Sequence, residues 1–391
     1  MLACVSLGED GNGVGNKDVA LLLQSLQQPQ YTTLDSAELA VKPLEHLLSR
    51  KWSGSQSLGL REVEETVIGT AVMAQLSKGR WQNLSHLELC GKQLDIASIL
   101  LLVKAKWAQL QQLQLTDSIL DAIVWAQLNT YDWPSLRHLR LASSAIPHAE
   151  AVLPLNLPKL ACLHMSQIPM SPAIVHQLSQ APSLKLTSLF LQSARLGATA
   201  CLDFAQADWS CLNILNLSNK RSMRAAAVRH LVQAQLPNLQ SLNLSICGLD
   251  DLAIQWLIEG AWPRLEDLDL STNHLDTRAV KYLVKGNWVS LKHLTLVDSK
   301  YDSHAIEELL KGKWPSLMCL SIDLTALNTV NAGMLRIGPH QLLECHRARE
   351  QISTHFFQGV LRNNTDYNTP SAIRSLWPRL QKIFVFALAG S

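Results

Sequence analysis

A unit of about 26 residues recurs along this chain and constrains its fold. Trp262 opens one copy, WPRLEDLDLSTNHLDTRAVKYLVKGN, and Trp288 opens the next copy of the same pattern. Each opening residue is followed by apolar residues three, six and eight positions later, as in Leu265, Leu268 and Leu270. Because units in such a tandem array bury apolar area against their neighbours, the chain is expected to form a solenoid without a single closed core. The tryptophans that open a unit are Trp81, Trp107, Trp133, Trp209, Trp262, Trp288 and Trp314.

Within one unit the residue pattern predicts a strand followed by a helix. Leu268 and Leu270 alternate with polar residues, which places them on one face of a strand that turns into the solenoid. Asp276 stands where a helix begins, and its carboxylate can accept hydrogen bonds from the first helical turn. Ala279 and Leu283 then form an apolar helical stripe. Counting the less regular ends, we expect about fourteen strands.

A glycine stands two residues before several of the tryptophans. We expect these glycines to end the helices in the left-handed conformation, and each tryptophan to fill the gap between a helix end and the next strand. An aromatic series at a fixed offset could also suggest a stacking platform for a ligand. The constant packing position favours a structural role. The glycines are Gly79, Gly260, Gly286 and Gly312.

Composition excludes several classes of function. The chain has 391 residues, of which 47% are hydrophobic and 17% charged, so it is apolar enough to pack throughout. Its net charge of +2 provides no basic field for nucleic acid. No apolar run approaches the roughly 18 residues of a membrane span. The eight cysteines lack C-x-x-C spacing and no secretory signal is visible, which indicates an intracellular, cytoplasmic protein.

No cofactor and no metal ion are predicted. The glycine-rich segment at 11–15 has neither G-x-G-x-x-G spacing nor the lysine–serine pair of a phosphate-binding loop. Ordinary turn chemistry explains it equally well. A group of histidines and one cysteine near residue 345 lacks the paired spacing of a zinc site. Its members are His340, Cys345, His346 and His355.

These residues resemble the ribonuclease-inhibitor-like class of leucine-rich repeats, which includes the GALA-type proteins, over nearly the whole chain. The resemblance implies an α/β solenoid shaped as a horseshoe, with parallel strands on the concave face and helices on the convex face. It also implies that protein ligands bind on the concave side. The family's asparagine or cysteine after the strand is present as Asn273 and Cys247. Its place is taken elsewhere by Lys92, Ser118, Ser144, Ser299 and Thr325.

The spacing predicts three regions. Residues 1–322 form the repeat solenoid, residues 323–376 a helical insertion and residues 377–391 the final repeat strand. The insertion follows from the distance between Trp314 and Trp377, which exceeds one period by about 37 residues. An amphipathic helix is expected from about Pro339 to Leu361. Both ends of the array are expected to be bare, so that a longer chain, partner subunits or the inserted helix would cover them.

The outward strand positions are the candidate binding surface. His138, Arg140, His164 and Phe190 fall on adjacent strands and combine hydrogen-bond donors with an aromatic anchor, as interface hot spots do. A simply solvated face is the alternative interpretation. Asp267 and Asp269 form a separate acidic spot on the same face, and two asparagines lie between the groups. These are Asn216 and Asn243.

The sequence favours a non-enzymatic module that binds one or more protein partners. Two alternatives stay open: a structural subunit of a larger multiprotein assembly, and the substrate-recognition part of a ubiquitin ligase or bacterial effector. An enzyme is disfavoured, because His138 and His164 lack a neighbouring nucleophile with an orienting carboxylate in a recognisable motif. The aspartate pair likewise has no general-acid context.

Overall fold

The computed structural model divides the chain into two compact units, Met1–Ala194 and Arg195–Ser391. Among the described residues, strands and helices follow one another along the chain as one repeat predicts. The residues that the structure describes are 4–6, 31–35, 56–61, 70–78, 83–90, 96–105, 107–116, 128, 130–142, 157–166, 175–176, 178, 185–193, 197–219, 223–299, 302–323, 357–362 and 382–387.

The first unit contains a parallel sheet whose strands follow the order of the chain. Equivalent residues of neighbouring repeats stand side by side, as Leu113 does beside Leu139. The strands are β1 (Cys4–Ser6), β2 (Tyr31–Asp35), β3 (Ser57–Arg61), β4 (His86–Cys90), β5 (Gln112–Thr116), β6 (His138–Ala142), β7 (Cys162–His164) and β8 (Ser188–Phe190). The described helices are α1 (Thr70–Lys78) and α2 (Ile96–Lys104).

The second unit repeats this arrangement and adds one antiparallel strand. Its strands are β9 (Ile214–Asn216), β10 (Ser241–Asn243), β11 (Asp267–Asp269), β12 (His293–Thr295), β13 (Cys319–Asp323), β14 (Phe357–Arg362) and β15 (Lys382–Ala387). Its described helices are α3 (Ala198–Ala205), α4 (Ala225–Leu231), α5 (Asp251–Leu257), α6 (Thr277–Leu283) and α7 (Ser303–Leu310).

The apolar series lies between the strand layer and the helix layer, as predicted. Leu268 and Leu270 are 1% and 0% exposed, and Ala279 and Leu283 of α6 are buried opposite them. Asp276 caps this helix, since its side chain accepts from the backbone N–H of Ala279 at 2.9 Å. The predicted leucine-rich-repeat fold is therefore confirmed.

The described repeat tryptophans are buried, and five of them make a hydrogen bond to the end of the preceding helix. Trp288 is 7% exposed, and its indole N–H donates to the carbonyl of Leu283, the last residue of α6, at 2.7 Å. The same carbonyl also accepts from the backbone N–H of Gly286 at 3.1 Å, so the indole N–H uses its second lone pair and fixes the ring against the helix end. The same bond, five residues back along the chain, is made by Trp107, Trp133, Trp209 and Trp314. Trp81 and Gly79 lie outside the described residues.

The glycines before the tryptophans have a different role from the one predicted. Among the described glycines only Gly248 has a positive φ, so the left-handed caps expected at Gly260, Gly286 and Gly312 are wrong. A Cβ built on Gly286 would instead lie 2.5 Å from Nε1 of Trp288. Glycine is required because the indole ring closes over the helix end at that point.

Left-handed backbone occurs mainly after the strands, and mostly at residues other than glycine. Asn219, Ile246, Thr272 and Asp298 have φ between 54° and 59°, each three residues past a strand end. Hydrogen bonds to the next repeat hold this conformation. The N–H of Ile246, for example, donates to the carbonyl of Ser271 at 2.9 Å. The sheet ladder thus continues into the turn at the cost of strained residues, most of all the β-branched ones.

Asn273 joins the turns of two repeats. It is 2% exposed, and its Oδ1 accepts from the N–H groups of Cys247 and Leu249, both at 3.0 Å. Its Nδ2 donates to the carbonyls of Leu244 and Leu270 at 2.9 and 2.8 Å. This is the asparagine that the family resemblance singles out, and it satisfies four backbone groups that no strand or helix reaches.

The C-terminal repeat strand is not bare. β15 pairs in parallel with β13, with Cys319 opposite Lys382, so it takes the place of the next repeat strand. Its other edge pairs antiparallel with β14. Residues 357–362, expected at the end of a helix, therefore form a strand, because the open edge of β15 offers a full ladder of hydrogen bonds. The rest of the predicted helix lies outside the described residues.

Candidate functional site

The strand face of the first unit brings four of the predicted residues together. In the ladder Arg140 stands beside His164, and His164 beside Phe190. The rings of His164 and Phe190 stack with centroids 3.8 Å apart and planes 25° apart. His138 and Arg140 are exposed at one side of this pair. We name His138, Arg140, His164 and Phe190 the strand-face patch.

Both histidines of the strand-face patch are electrically neutral at pH 7. Burial lowers the pKa of His164 to about 4, and the charges of Arg140 and His138 act in the same direction. Burial also lowers the pKa of His138, together with His86 and Arg137. The guanidinium of Arg140 is therefore the positive charge that the patch presents.

Residues beside the patch extend it and were not singled out from the sequence. Gln114 precedes Arg140 in the ladder, and its amide donates to Oε1 of Glu88 at 2.9 Å. Cys162 lies next to His138, and burial raises the pKa of its thiol. Lining up equivalent positions of successive repeats would have found these neighbours, because register is preserved from strand to strand.

Three other predicted binding residues are occupied with building turns. Asn216, Asn243 and Asp269 end their strands, and the Oδ1 of each accepts from the N–H two residues later at 2.9 to 3.0 Å. The second oxygen of Asp269 also accepts from Nδ2 of Asn243 at 3.0 Å. These side chains form Asx turns, which direct the backbone toward the left-handed residue that follows. The signal was present in the sequence as an Asx residue two positions before a serine.

Asp267 does not form an open acidic spot with Asp269. Its carboxylate instead pairs with Nδ1 of His293 on the next strand. One residue earlier, Lys292 and Glu266 form an ion pair at 2.7 Å across the same two strands. The pairing runs across the sheet, between residues 26 apart in the chain, and not along one strand. Asp267 and Glu266 are therefore each matched by a basic partner.

Two other kinds of site are absent from the described residues. No group of three or more histidines, cysteines, aspartates or glutamates there is arranged to hold a metal ion. Over the same residues, no helix has the length and apolar character needed to cross a membrane.

Comparison with known proteins finds no sequence match and only solved structures of low identity. No protein-family model matches the sequence, and no curated protein matches it. Among solved structures, the yeast Rad7–Elc1 complex contains a chain with 13% identity and a TM-score of 0.49, which covers 82% of this chain and 76% of that one. An internalin from Listeria monocytogenes has 15% identity and a TM-score of 0.42, with 78% and 87% covered. A TLR13–ssRNA13 complex gives 15% and 0.42, with 79% and 51% covered.

Proposed function

We propose that this leucine-rich-repeat protein is a non-enzymatic module that binds a protein partner through the strand-face patch. The observation that carries the proposal is the stacked pair of His164 and Phe190 next to the exposed Arg140. An aromatic surface held rigid by a neighbouring ring loses little conformational entropy when a partner covers it. Arginine and aromatic residues are the types enriched at interface hot spots.

Charge supports a partner surface with a carboxylate or another acceptor group. Because His138 and His164 are neutral at pH 7, a partner that covers them does not bury two uncompensated cations. The planar guanidinium of Arg140 can then donate two hydrogen bonds to one carboxylate of the partner. An apolar or aromatic partner residue would pack against the ring of Phe190. The proposed partner epitope is therefore an acidic residue beside an apolar one.

Two substitutions test this function. The tagged protein is used to purify its native complex, and the affinity of the co-purifying protein is then measured by calorimetry with Arg140→Ala and with Phe190→Ala. Each should weaken binding by at least about 1 kcal/mol, or roughly fivefold. Lys104→Ala is the matched control, because it removes an exposed positive charge from the helix layer of the same unit.

The affinities decide where the partner binds. Unchanged affinity in both strand-face variants would refute the proposal and direct attention to the sheet edges, as a structural subunit would require. A loss in Lys104→Ala as large as in Arg140→Ala would indicate a nonspecific charge effect. Thermal melts of the three variants should stay close to that of the parent, since all three side chains lie at the surface of the sheet or helix layer.

Subclass and location complete the proposal. We assign the chain to the ribonuclease-inhibitor-like class, supported by the 26-residue strand–helix period and by the hydrogen bonds of Asn273. We also place the protein inside the cell. The described cysteines are thiols, as expected in a reducing compartment. They are Cys90, Cys162, Cys201, Cys211, Cys247 and Cys319.

A further inference from the structure

A row of three chemically complementary side chains crosses the second unit. Asp267 of β11 stands in register with His293 of β12, which stands in register with Cys319 of β13. All three alternate with buried leucines, so they share the solvent-facing side of the sheet. The side chains of His293 and Asp267 are 46% and 47% exposed, and Cys319 is half-buried. A small molecule can therefore reach the row.

The first two members of the row are already joined. Nδ1 of His293 is hydrogen-bonded to Oδ1 of Asp267. When the carboxylate accepts the Nδ1 proton, the acceptor nitrogen of the ring is Nε2. Cys319 occupies the strand on the other side of His293, one strand spacing of about 4.8 Å away. In an activated thiol, the carboxylate orients the imidazole and the imidazole accepts the proton of the thiol. The row places the three groups in this order.

We propose that Cys319 is a nucleophilic thiol, with His293 as its proton acceptor and Asp267 as the residue that orients the ring. Its ligand class is the activated carbon–carbon double bond of an α,β-unsaturated carbonyl compound. This site is separate from the strand-face patch. The compound modifies Cys319 once per protein molecule, without turnover.

The chemistry balances without any further reagent. The thiol proton of Cys319 moves to Nε2 of His293, and the resulting thiolate forms a bond to the β-carbon of the double bond. The π electrons move to the α-carbon as an enolate. The imidazolium of His293 then returns the proton to the α-carbon. Thioether, neutral imidazole and saturated carbonyl are the products, and no group leaves.

Neighbouring charges leave Asp267 as the carboxylate that serves His293. Glu266 is paired with Lys292 at 2.7 Å. Asp269 accepts from the backbone and hydroxyl of Ser271 and from Asn243. On the far side of Cys319, the next residue in the row is Lys382 of β15, which is not a carboxylate.

The chain contains two matched reference thiols. Cys162 also follows a histidine in its row, since His138 is its register partner, but the residue on the other side of His138 is Gln112. It therefore has a histidine without the orienting carboxylate, and burial raises its pKa. Cys211 is exposed and provides a reference for access alone.

The test is the rate of N-ethylmaleimide addition to each cysteine between pH 6 and 9, followed by peptide mass spectrometry of the folded protein. At pH 6 Cys319 should react about fivefold faster than Cys211, because a larger thiolate fraction outweighs the lower nucleophilicity of a more acidic thiol. At pH 9 the two rates should converge. Cys162 should be the slowest of the three throughout.

Three variants assign the roles. His293→Gln should reduce the pH 6 rate of Cys319 to that of Cys211, and Asp267→Asn should reduce it at least about twofold. Asp269→Asn, which retains a turn-forming oxygen on the same strand, should leave the rate unchanged. A Cys319 profile that coincides with that of Cys211 at all pH values overturns the proposal, and so does an unaltered rate in His293→Gln.

Discussion

Truncation of Asn273 tests whether turn hydrogen bonds hold neighbouring repeats together. Asn273→Ala removes the acceptor for two buried N–H groups, those of Cys247 and Leu249, and the donor for two carbonyls. An unsatisfied buried polar group costs about 1 to 3 kcal/mol, and the carbonyls retain a second lone pair. With the two N–H groups dominant, the free energy of unfolding should fall by about 3 to 5 kcal/mol.

Urea denaturation monitored by tryptophan fluorescence measures this loss. Asn238→Ala is the control, because its side chain makes one exposed bond, to the carbonyl of Ser210 at 2.7 Å. It should cost no more than about 1 kcal/mol. If Asn273→Ala were as stable as Asn238→Ala, the bonds between turns would not contribute to holding the repeats together.

Asn273→Asp separates the acceptor role from the donor role. The carboxylate keeps an oxygen for the two N–H groups but directs its other oxygen at the carbonyls of Leu244 and Leu270. The folded state should then favour the protonated acid, which can donate, so that its pKa rises above the unfolded value. Relative to the parent, the variant should therefore gain stability as the pH falls from 7 to 5.

Three further predictions concern single side chains. Trp288→Phe should cost about 1 to 2 kcal/mol more stability than Trp262→Phe. Of these two indole N–H groups, only that of Trp288 has an acceptor among the described residues, and urea midpoints measure the difference. Gly286→Ala should destabilise by about 1 to 3 kcal/mol through the contact with the indole ring, whereas Gly197→Ala, with open space around it, should change stability by less than about 1 kcal/mol; equal melts would refute the contact. The lowered pKa of His164 means that the unfolded state binds a proton first as the pH falls, so stability is lost from about pH 6.5 down to about 4. From pH 7 to 5 the parent should lose up to about 2 kcal/mol more than His164→Gln in urea titrations, and equal losses would contradict the shift.

The regular features of the fold were predictable because one period determines them. Leu265, Leu268 and Leu270 are all buried because a strand follows the turn that Leu265 belongs to. Because the repeats are equal in length, equivalent residues of neighbouring strands then stand in register. The contact between Gly286 and Trp288 was missed for a definite reason. The expectation of a glycine cap and a tryptophan plug treats the two residues as independent, although their constant offset indicates a direct contact.

β14 shows where local pattern is insufficient. Phe357, Val360 and Leu361 fit one face of a helix, and the same six residues also fit a short strand. What decides between the two is the edge of β15, which lies later in the chain and presents unpaired backbone groups. Nothing within the segment itself encodes that edge. Tertiary pairing therefore overrides helical periodicity here.

One repeat position serves different purposes according to its side chain. On β9, β10 and β11 it holds Asn216, Asn243 and Asp269, whose short polar side chains reach the N–H two residues later and build the turn. On β7 and β8 the same position holds His164 and Phe190, whose rings stack on each other instead. A ring cannot form an Asx turn, so these repeats give up a local hydrogen bond in exchange for a rigid aromatic surface. On these two strands the position presents an aromatic pair at the surface where β9 to β11 have a turn-forming side chain, and this is the reason for locating the proposed interface in the first unit.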